Sequence, residues 1–179
     1  MERTQMKSTQ ANIRHALFAA ALVAAAPAFA GSPTTTGGLA TPANRIVGVW
    51  ANTAMVGPCN GTPGQALRQT IVFHAGGTFL DNSPFPPAGI PNVAGIPGTH
   101  QRSIGVGAWS YDPLTGRYTL DQRFDWFVDN QYHGYQVVHR TILVSSNGNA
   151  AAGPVRTTRY AANGAVVMEQ CGSAASTRL

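Results

Sequence analysis

Side chains that could act as acids, bases or nucleophiles are few in this chain. After residue 30 the histidines are His74, His100, His133 and His139, and no H-E-x-x-H, G-x-S-x-G or comparable motif surrounds them. His74 precedes a Gly-Gly turn with Asp81 within reach across it, and such a pair could orient a base. It has no identifiable nucleophile beside it, so a turn-stabilising hydrogen bond is the alternative. The sequence predicts no catalytic residue.

The same side chains predict no metal site. His133 and His139 share a face of one predicted strand, but six residues of strand hold them about 20 Å apart. Cys59 and Cys171 each lack a second ligand at short spacing, which disfavours structural zinc. The absence of C-x-x-C disfavours a redox pair.

Acidic residues and glycines indicate structure rather than a cofactor site. Asp121 and Asp125 share one strand face with Arg123 between them, which is typical of an outward row of ion pairs. Gly105 and Gly107 lie within a predicted strand, where glycine allows a bend or close packing. No glycine-rich phosphate loop is present, and we predict no cofactor.

Aromatic residues give the best candidate for a binding site. They recur on the predicted inward faces of strands, and an eight-stranded barrel is wide enough to be filled by such side chains or to hold one small ligand. A packed core and an apolar pocket are both open on this pattern. The predicted ligand-binding residues are Trp50, Phe73, Trp109, Tyr118, Phe124 and Trp126.

The elements that would position these residues are β-strands. Turn signals recur about every sixteen residues after Gly116, and the segments between them alternate apolar and polar residues with a period of two. Tight turns between long neighbours favour a single antiparallel up-and-down barrel of about eight strands, with a β-sandwich as the alternative. The predicted strands are Arg45 to Asn52, Gln69 to Ala75, Thr78 to Asp81, Ser103 to Tyr111, Tyr118 to Trp126, Gln131 to Val144, Val155 to Tyr160 and Val166 to Cys171.

One segment departs from this pattern. Residues Asn82 to Gln101 hold five prolines and three glycines without strand alternation. Long irregular loops inside a compact domain are often lids or binding loops, and a semi-rigid surface excursion is the alternative.

The first strand carries Gly48-Val49-Trp50, which resembles the G-x-W of lipocalins and the wider calycin barrels. In those barrels an arginine near the end of the chain packs on this tryptophan, and Arg178 would match it. The resemblance implies barrel closure by Trp50 and Arg178 through cation–π attraction. The T-D-Y turn motif and C-terminal helix of true lipocalins are missing.

A second resemblance covers most of residues 45 to 179. Phe73-His74-Ala75-Gly76-Gly77-Thr78, Gly105-Val106-Gly107-Ala108-Trp109 and Cys171-Gly172 are similar to segments of small exported bacterial proteins of unassigned function. This implies a lipocalin-like fold and no known reaction.

The first thirty residues predict export. Lys7 and Arg14 precede an apolar run from Ala16 to Ala26, and an A-x-A cleavage site ends at Ala30. The prediction is a signal peptide at 1–30, a flexible lead-in at 31–44 and a barrel domain at 45–179, in a periplasmic or extracellular protein. Pro27 interrupts the run before the length a spanning helix needs, so stable membrane insertion is not expected.

Composition limits the partners. Residues 31–179 have no lysine, nine arginines and six acidic residues, a formal charge of +3, and the arginines are scattered. Nucleic-acid binding is therefore not predicted, since it favours a clustered basic patch. The two cysteines would meet an oxidising compartment, which predicts a Cys59–Cys171 disulfide, with two separate buried thiols as the alternative.

The leading functional hypothesis is an exported barrel that binds a small apolar or amphipathic molecule. An isomerase or cyclase on the same barrel is the second, as in allene oxide cyclase-like barrels, although an enzyme is the less favoured reading. A protein-interaction module that presents residues Asn82 to Gln101 is the third. The sequence names neither the ligand nor a protein partner.

Overall fold

The computed structural model describes residues 41–62 and 64–179 as an all-β structure. The predicted leader and residues 31–40 of the predicted lead-in lie outside the described residues. Two 3₁₀ turns, Pro42–Ile46 and Val93–Gly95, are the only helical segments of the described part. The strands are β1 Gly48–Pro58, β2 Gln65–Phe73, β3 Thr78–Asn82, β4 Ile90–Pro91, β5 Thr99–Arg102, β6 Gly105–Asp112, β7 Arg117–Val128, β8 Gln131–Val144, β9 Ala150–Ala161 and β10 Val166–Arg178.

Eight of these strands form a closed antiparallel barrel. Its order is β1, β2, β3, β6, β7, β8, β9 and β10, and pairing of β10 with β1 returns the sheet to its start. Closure removes exposed sheet edges and excludes the β-sandwich. The architecture is therefore consistent with a lipocalin-like barrel, as expected from the sequence.

Alternation of buried and exposed residues places one face of each strand inside the barrel. In β7 the odd-numbered residues face outward, and the buried inward residues are Tyr118, Leu120, Gln122, Phe124 and Trp126. The β7–β8 hairpin turns at Asp129 and Asn130, with φ of 49° and 63°. Asp and Asn tolerate this left-handed conformation, which a two-residue hairpin turn requires.

The strands are longer than the sequence patterns indicated. β1 continues to Pro58 and β10 to Arg178, because nine register pairs along their length join them into one long ladder. Residues with small or polar side chains, such as Ala54 and Ser176, weaken the pattern there but still face inward and are buried.

Strands β4 and β5 are additions to the barrel. They lie in or beside residues Asn82 to Gln101, which we call the Pro-rich segment and which the sequence predicted to lack strands. β5 pairs with the end of β7 at Arg102 and Trp126, just beyond the stretch where β6 pairs with it. The segment is therefore attached to one end of the barrel along β7.

The opposite end is closed by Arg178. Its Cζ lies 4.2 Å from the centroid of the Trp50 ring, and its guanidinium donates to the carbonyls of Arg45, Val47 and Gly148. The contact expected between Trp50 and Arg178 is present. Trp50 Nε1 also donates to the Ile46 carbonyl at 2.8 Å, which ties the Pro42–Ile46 turn to the barrel.

The predicted disulfide is confirmed. Cys59 follows β1, Cys171 lies within β10, and their Cα atoms are 4.7 Å apart. The two cysteines are 112 residues apart in sequence. Joining them restricts the unfolded chain, which in the chain-entropy model stabilises the fold by on the order of 4–5 kcal/mol. Among the described residues, no helix has both the length and the hydropathy to cross a bilayer.

Candidate functional site

The barrel interior has two chemically different halves. We call the end near Trp50 and Arg178 the apolar half; its buried residues are Ile46, Trp50, Ile71, Phe73, Phe79, Tyr118, Leu120, Ile142 and Ala151. We call the rest of the interior the polar half, and it is the candidate site. Its buried polar residues are Asn52, Asp81, His100, Gln122, Gln136, Arg140, Thr157, Arg159 and Ser176.

Asp81 is the centre of one polar network. Its Oδ2 accepts hydrogen bonds from Gln69 Nε2 at 3.1 Å, Arg102 Nη2 at 2.8 Å and Gln122 Nε2. Ser83 Oγ donates to Oδ1 at 3.4 Å. Burial lowers the pKa of Arg102, and the Asp81 charge opposes that effect. The carboxylate and the guanidinium therefore form a buried pair whose charges offset each other.

Arg140 reaches the same network from β8. Its Nη2 donates to Asn52 Oδ1 at 3.2 Å, and the Ser176 hydroxyl donates to the same oxygen at 2.7 Å. Nε of Arg140 has no hydrogen-bond partner. Burial lowers the pKa of Arg140 to about 10, against an opposing effect of Asp81. The acid whose charge favours the ionised form of Arg140 is therefore already paired with Arg102.

A second group surrounds Trp126 near the Pro-rich segment. We call Trp126, Phe85, His100, Phe124 and Arg159 the Trp126 cluster. The rings of Phe124, Phe85 and His100 lie 5.5, 5.9 and 5.9 Å from the Trp126 ring. Arg159 Cζ lies 4.5 Å from the Trp126 ring centroid. The cluster therefore combines aromatic surface with the Arg159 guanidinium, and a second guanidinium, that of Arg102, lies 3.6 Å from the Phe124 ring centroid.

Polar contacts fix the orientation of Trp126. Its Nε1 donates to Gln136 Oε1 at 2.7 Å, and Gln136 Nε2 donates to Thr157 Oγ1. The indole is therefore held by its polar edge while aromatic rings contact the remainder.

Arg159 is a buried cation that no acid neutralises. Arg159 is 1% exposed, and its Nε has no hydrogen-bond partner. Burial lowers the pKa of its guanidinium to about 10. All six acidic residues of the described part make their contacts elsewhere. These contacts are Asp81 with Arg102, Asp112 with Thr115, Asp121 with His139, Asp125 with Arg123, Asp129 with the Thr99 backbone N–H, and Glu169 with Arg156.

Two histidines flank this cation. Arg159 Nη2 donates to His133 Nδ1 at 3.4 Å. Burial lowers the pKa of His133, and the nearby Arg159 and His100 lower it further, so the ring is neutral at pH 7. His100 Nε2 lies 2.9 Å from the Ile96 carbonyl and must donate to it, while its Nδ1 has no partner.

The six predicted ligand-binding residues do not form one cluster. Trp50, Phe73 and Tyr118 are buried in the apolar half, and Trp109 packs against them while its Nε1 donates to the carbonyls of His74 and Thr78. The other two, Phe124 and Trp126, lie in the polar half. The candidate site thus keeps only these two of the six.

His74 and Asp81, considered above as a pair, lie on different sides of the barrel wall. His74 is in the exposed turn between β2 and β3, whereas Asp81 is buried inside. Among the described residues, no group of three or more His, Cys, Asp or Glu side chains is arranged to hold a metal ion.

Sequence reasoning missed the charged residues of the polar half. Arg140 and Arg159 each occupy an inward position of a strand, beside the buried neighbours Ile142 and Thr157 at a spacing of two. Strand parity was the available signal, but arginine is rarely buried without a partner.

Two surface concavities are formed by the described residues. One, of about 530 Å³, lies on β1, β2 and β10, and its lining includes the outward-facing Ala51 and Thr177 as well as Asn52 and Gln69 of the polar network. The other, of about 780 Å³, lies between residues 41–44 and the rings of Trp109 and Tyr111. Neither is lined by a residue of the Trp126 cluster, which holds the unpaired Arg159 Nε and His100 Nδ1.

No family model, curated protein or solved structure matches this chain.

Proposed function

We propose that this protein is an exported, lipocalin-like barrel that binds a small amphipathic molecule in its polar half. The observation that carries the proposal is the Trp126 cluster. It places aromatic rings beside a buried guanidinium that has neither an acidic partner nor a full set of hydrogen bonds. Ligand sites commonly combine apolar walls with a few convergent polar groups.

The two halves differ in how their side chains fill the barrel. Large aromatic and aliphatic residues fill the apolar half, which favours a structural role there. In the polar half, β7 presents Phe124 and Trp126, while β1, four strands away around the barrel, presents Ala54 and Val56. An eight-stranded barrel can hold one small ligand where the lining side chains are short.

A ligand would enter from the end that bears the Pro-rich segment. Leu67 pairs in register with the inward-facing Ala54, yet it is 39% exposed. The inner face therefore meets solvent at this end. Phe85 of the Pro-rich segment packs on Trp126, so the segment covers the proposed site on the β7 side.

Export is part of the proposal. It is supported by the leader-like first thirty residues and by the Cys59–Cys171 disulfide, because disulfides persist in oxidising compartments. An enzyme on the same barrel is the less supported alternative. Asp81, the buried acid, accepts bonds from three side chains at one oxygen and pairs with Arg102, which does not suit a free general base.

Calorimetry with matched tryptophan variants tests the proposal. Purified oxidised protein is titrated with fatty acids, terpenoids and aromatic metabolites, and mass spectrometry identifies molecules that copurify from the native host. We expect binding with a negative heat-capacity change, since apolar surface is buried. Trp126→Phe should weaken it several-fold, whereas Trp109→Phe, at the other end, should not. Equal effects of the two variants, or no bound molecule from either source, would contradict the proposal.

A further inference from the structure

We propose that the ligand carries a carboxylate, which pairs with the Arg159 guanidinium beside Trp126, where Nε–H has no acceptor. This inference rests on the proposed function and specifies the chemical class of the ligand. The apolar body of the molecule would lie against the Trp126 cluster.

The charge inventory of the interior favours an anion. Arg102, Arg140 and Arg159 are buried or nearly so, and Asp81 is the sole acidic residue buried with them in the described part of the chain. Asp81 pairs with Arg102 and also acts on Arg140. No acid acts on Arg159, for which burial alone accounts for the lowered pKa. The interior is therefore short of negative charge at Arg159.

The contacts of Arg159 leave one N–H group without an acceptor. Its face is occupied by the Trp126 ring, and Nη2 points to His133. Nε, on the edge of the guanidinium, has no partner. A carboxylate is planar and accepts two parallel N–H bonds from a guanidinium edge, which makes it the matching group.

Burial explains why such a group would be bound tightly. A buried charge without a partner is costly, and a ligand carboxylate at this position would offset part of that cost. One guanidinium matches one negative charge. The Trp126 ring against it, with the Phe85 and Phe124 rings packed on Trp126, favours an organic acid over an inorganic anion.

The test compares acids with alcohols of equal length. Binding of octanoic acid and 4-phenylbutyric acid is measured by calorimetry at pH 7.5 against octan-1-ol and 4-phenylbutan-1-ol. A charge-assisted bidentate bond is worth about 1.5–3 kcal/mol, so the acids should bind roughly 10- to 100-fold more tightly. Arg159→Gln should remove this difference and leave the binding of the alcohols within about two-fold.

Arg156→Gln is the matched control, since Arg156 is on the same strand but faces outward and pairs with exposed Glu169. It should leave the acid preference unchanged. Arg159→Lys, which keeps the charge but lacks the planar fork, should keep part of the preference, and it serves if the glutamine variant does not fold. Thermal melts of every variant report folding.

The outcomes separate the two proposals. If acids and alcohols bind equally and Arg159→Gln changes neither, the carboxylate inference is wrong while the amphipathic-ligand proposal stands. If the acids bind better but Arg159→Gln and Arg159→Lys keep the full preference, the assignment to Arg159 is wrong. If neither class binds and nothing copurifies from the native host, the proposed function itself fails.

Discussion

Two arginines at opposite ends of the barrel, Arg178 partly buried and Arg159 fully buried, show how its halves differ. Arg178 covers the Trp50 ring and donates to three backbone carbonyls, so its charge is dispersed over fixed acceptors. Arg159 covers the Trp126 ring in a similar way, but its Nε is unpaired and its Nη2 donates to a histidine ring nitrogen. The fold therefore supplies Arg178 with backbone acceptors, whereas it leaves one N–H group of Arg159 without an acceptor.

This comparison gives the halves different physical roles. The apolar half is packed with large side chains and closed by Arg178, which provides stability. The polar half holds buried charged and unpaired groups, which are costly to a fold, and such groups are common at functional sites.

The largest expected effect is a loss of stability when a side chain packed in the apolar half is shortened. Leu120 is fully buried there, so Leu120→Ala should lower the free energy of unfolding by about 2–5 kcal/mol. Leu143→Ala is the matched control, because this leucine faces outward on β8 and is 52% exposed. It should change stability by no more than about 0.5 kcal/mol. Equal losses in urea denaturation would show that the apolar half is not the stabilising core.

The next effect concerns the closing arginine. Arg178→Ala removes the cover of Trp50 and three hydrogen bonds, and should lower the free energy of unfolding by roughly 1–3 kcal/mol. Denaturant unfolding followed by tryptophan fluorescence measures it. Arg68→Ala, an exposed arginine on β2, is the control and should have almost no effect. A change of less than about 0.5 kcal/mol for Arg178→Ala would contradict its closing role.

Substitution of Arg159, unlike that of Arg178, should not lower the free energy of unfolding. Arg159→Met replaces a buried, unpaired charge by an apolar side chain that fits beside the same aromatic rings. The free energy of unfolding should stay equal or rise by about 1 kcal/mol, while the preference for carboxylates is lost. A loss of stability similar to that of Arg178→Ala would mean that Arg159 is structural, and it would weaken the comparison of the two ends.

Much of the fold could be predicted from the sequence. Alternation in β7 and the turn signals gave the number and order of the barrel strands, because a strand with one buried face must alternate. The long ends of β1 and β10 and the short strands β4 and β5 could not be predicted in this way. Their pairing depends on partners distant in the chain rather than on their own pattern.

The candidate site was predicted less well. Large aromatic side chains were expected to mark one pocket, but Trp50 and Tyr118 serve the packed end while Trp126 lies at the other. Parity places a residue inside without giving its height along the barrel. Arg159 was missed because its inward position matters only once its missing acidic partner is known, and that requires all six acids to be located.

The smallest expected effect is a pH dependence of carboxylate binding through His133. In the free protein, burial and the charges of Arg159 on β9 and His100 on β5 lower its pKa, so the ring is neutral at pH 7. A carboxylate bound at Arg159 would add a negative charge nearby, which raises the pKa of His133 in the complex. Binding therefore takes up protons, and affinity should increase as pH falls through the range below the ordinary histidine pKa of about 6.5.

We expect the dissociation constant of octanoic acid to fall by about two- to five-fold between pH 7.5 and about 6, where most of the ligand is still ionised. His133→Asn should remove most of this change. His139→Asn, at an exposed histidine paired with Asp121 on the outer face, should keep it. Octan-1-ol carries no charge, so its affinity should not vary with pH. If His133→Asn and His139→Asn show the same pH profile, the ligand charge does not lie beside His133 and hence not at Arg159.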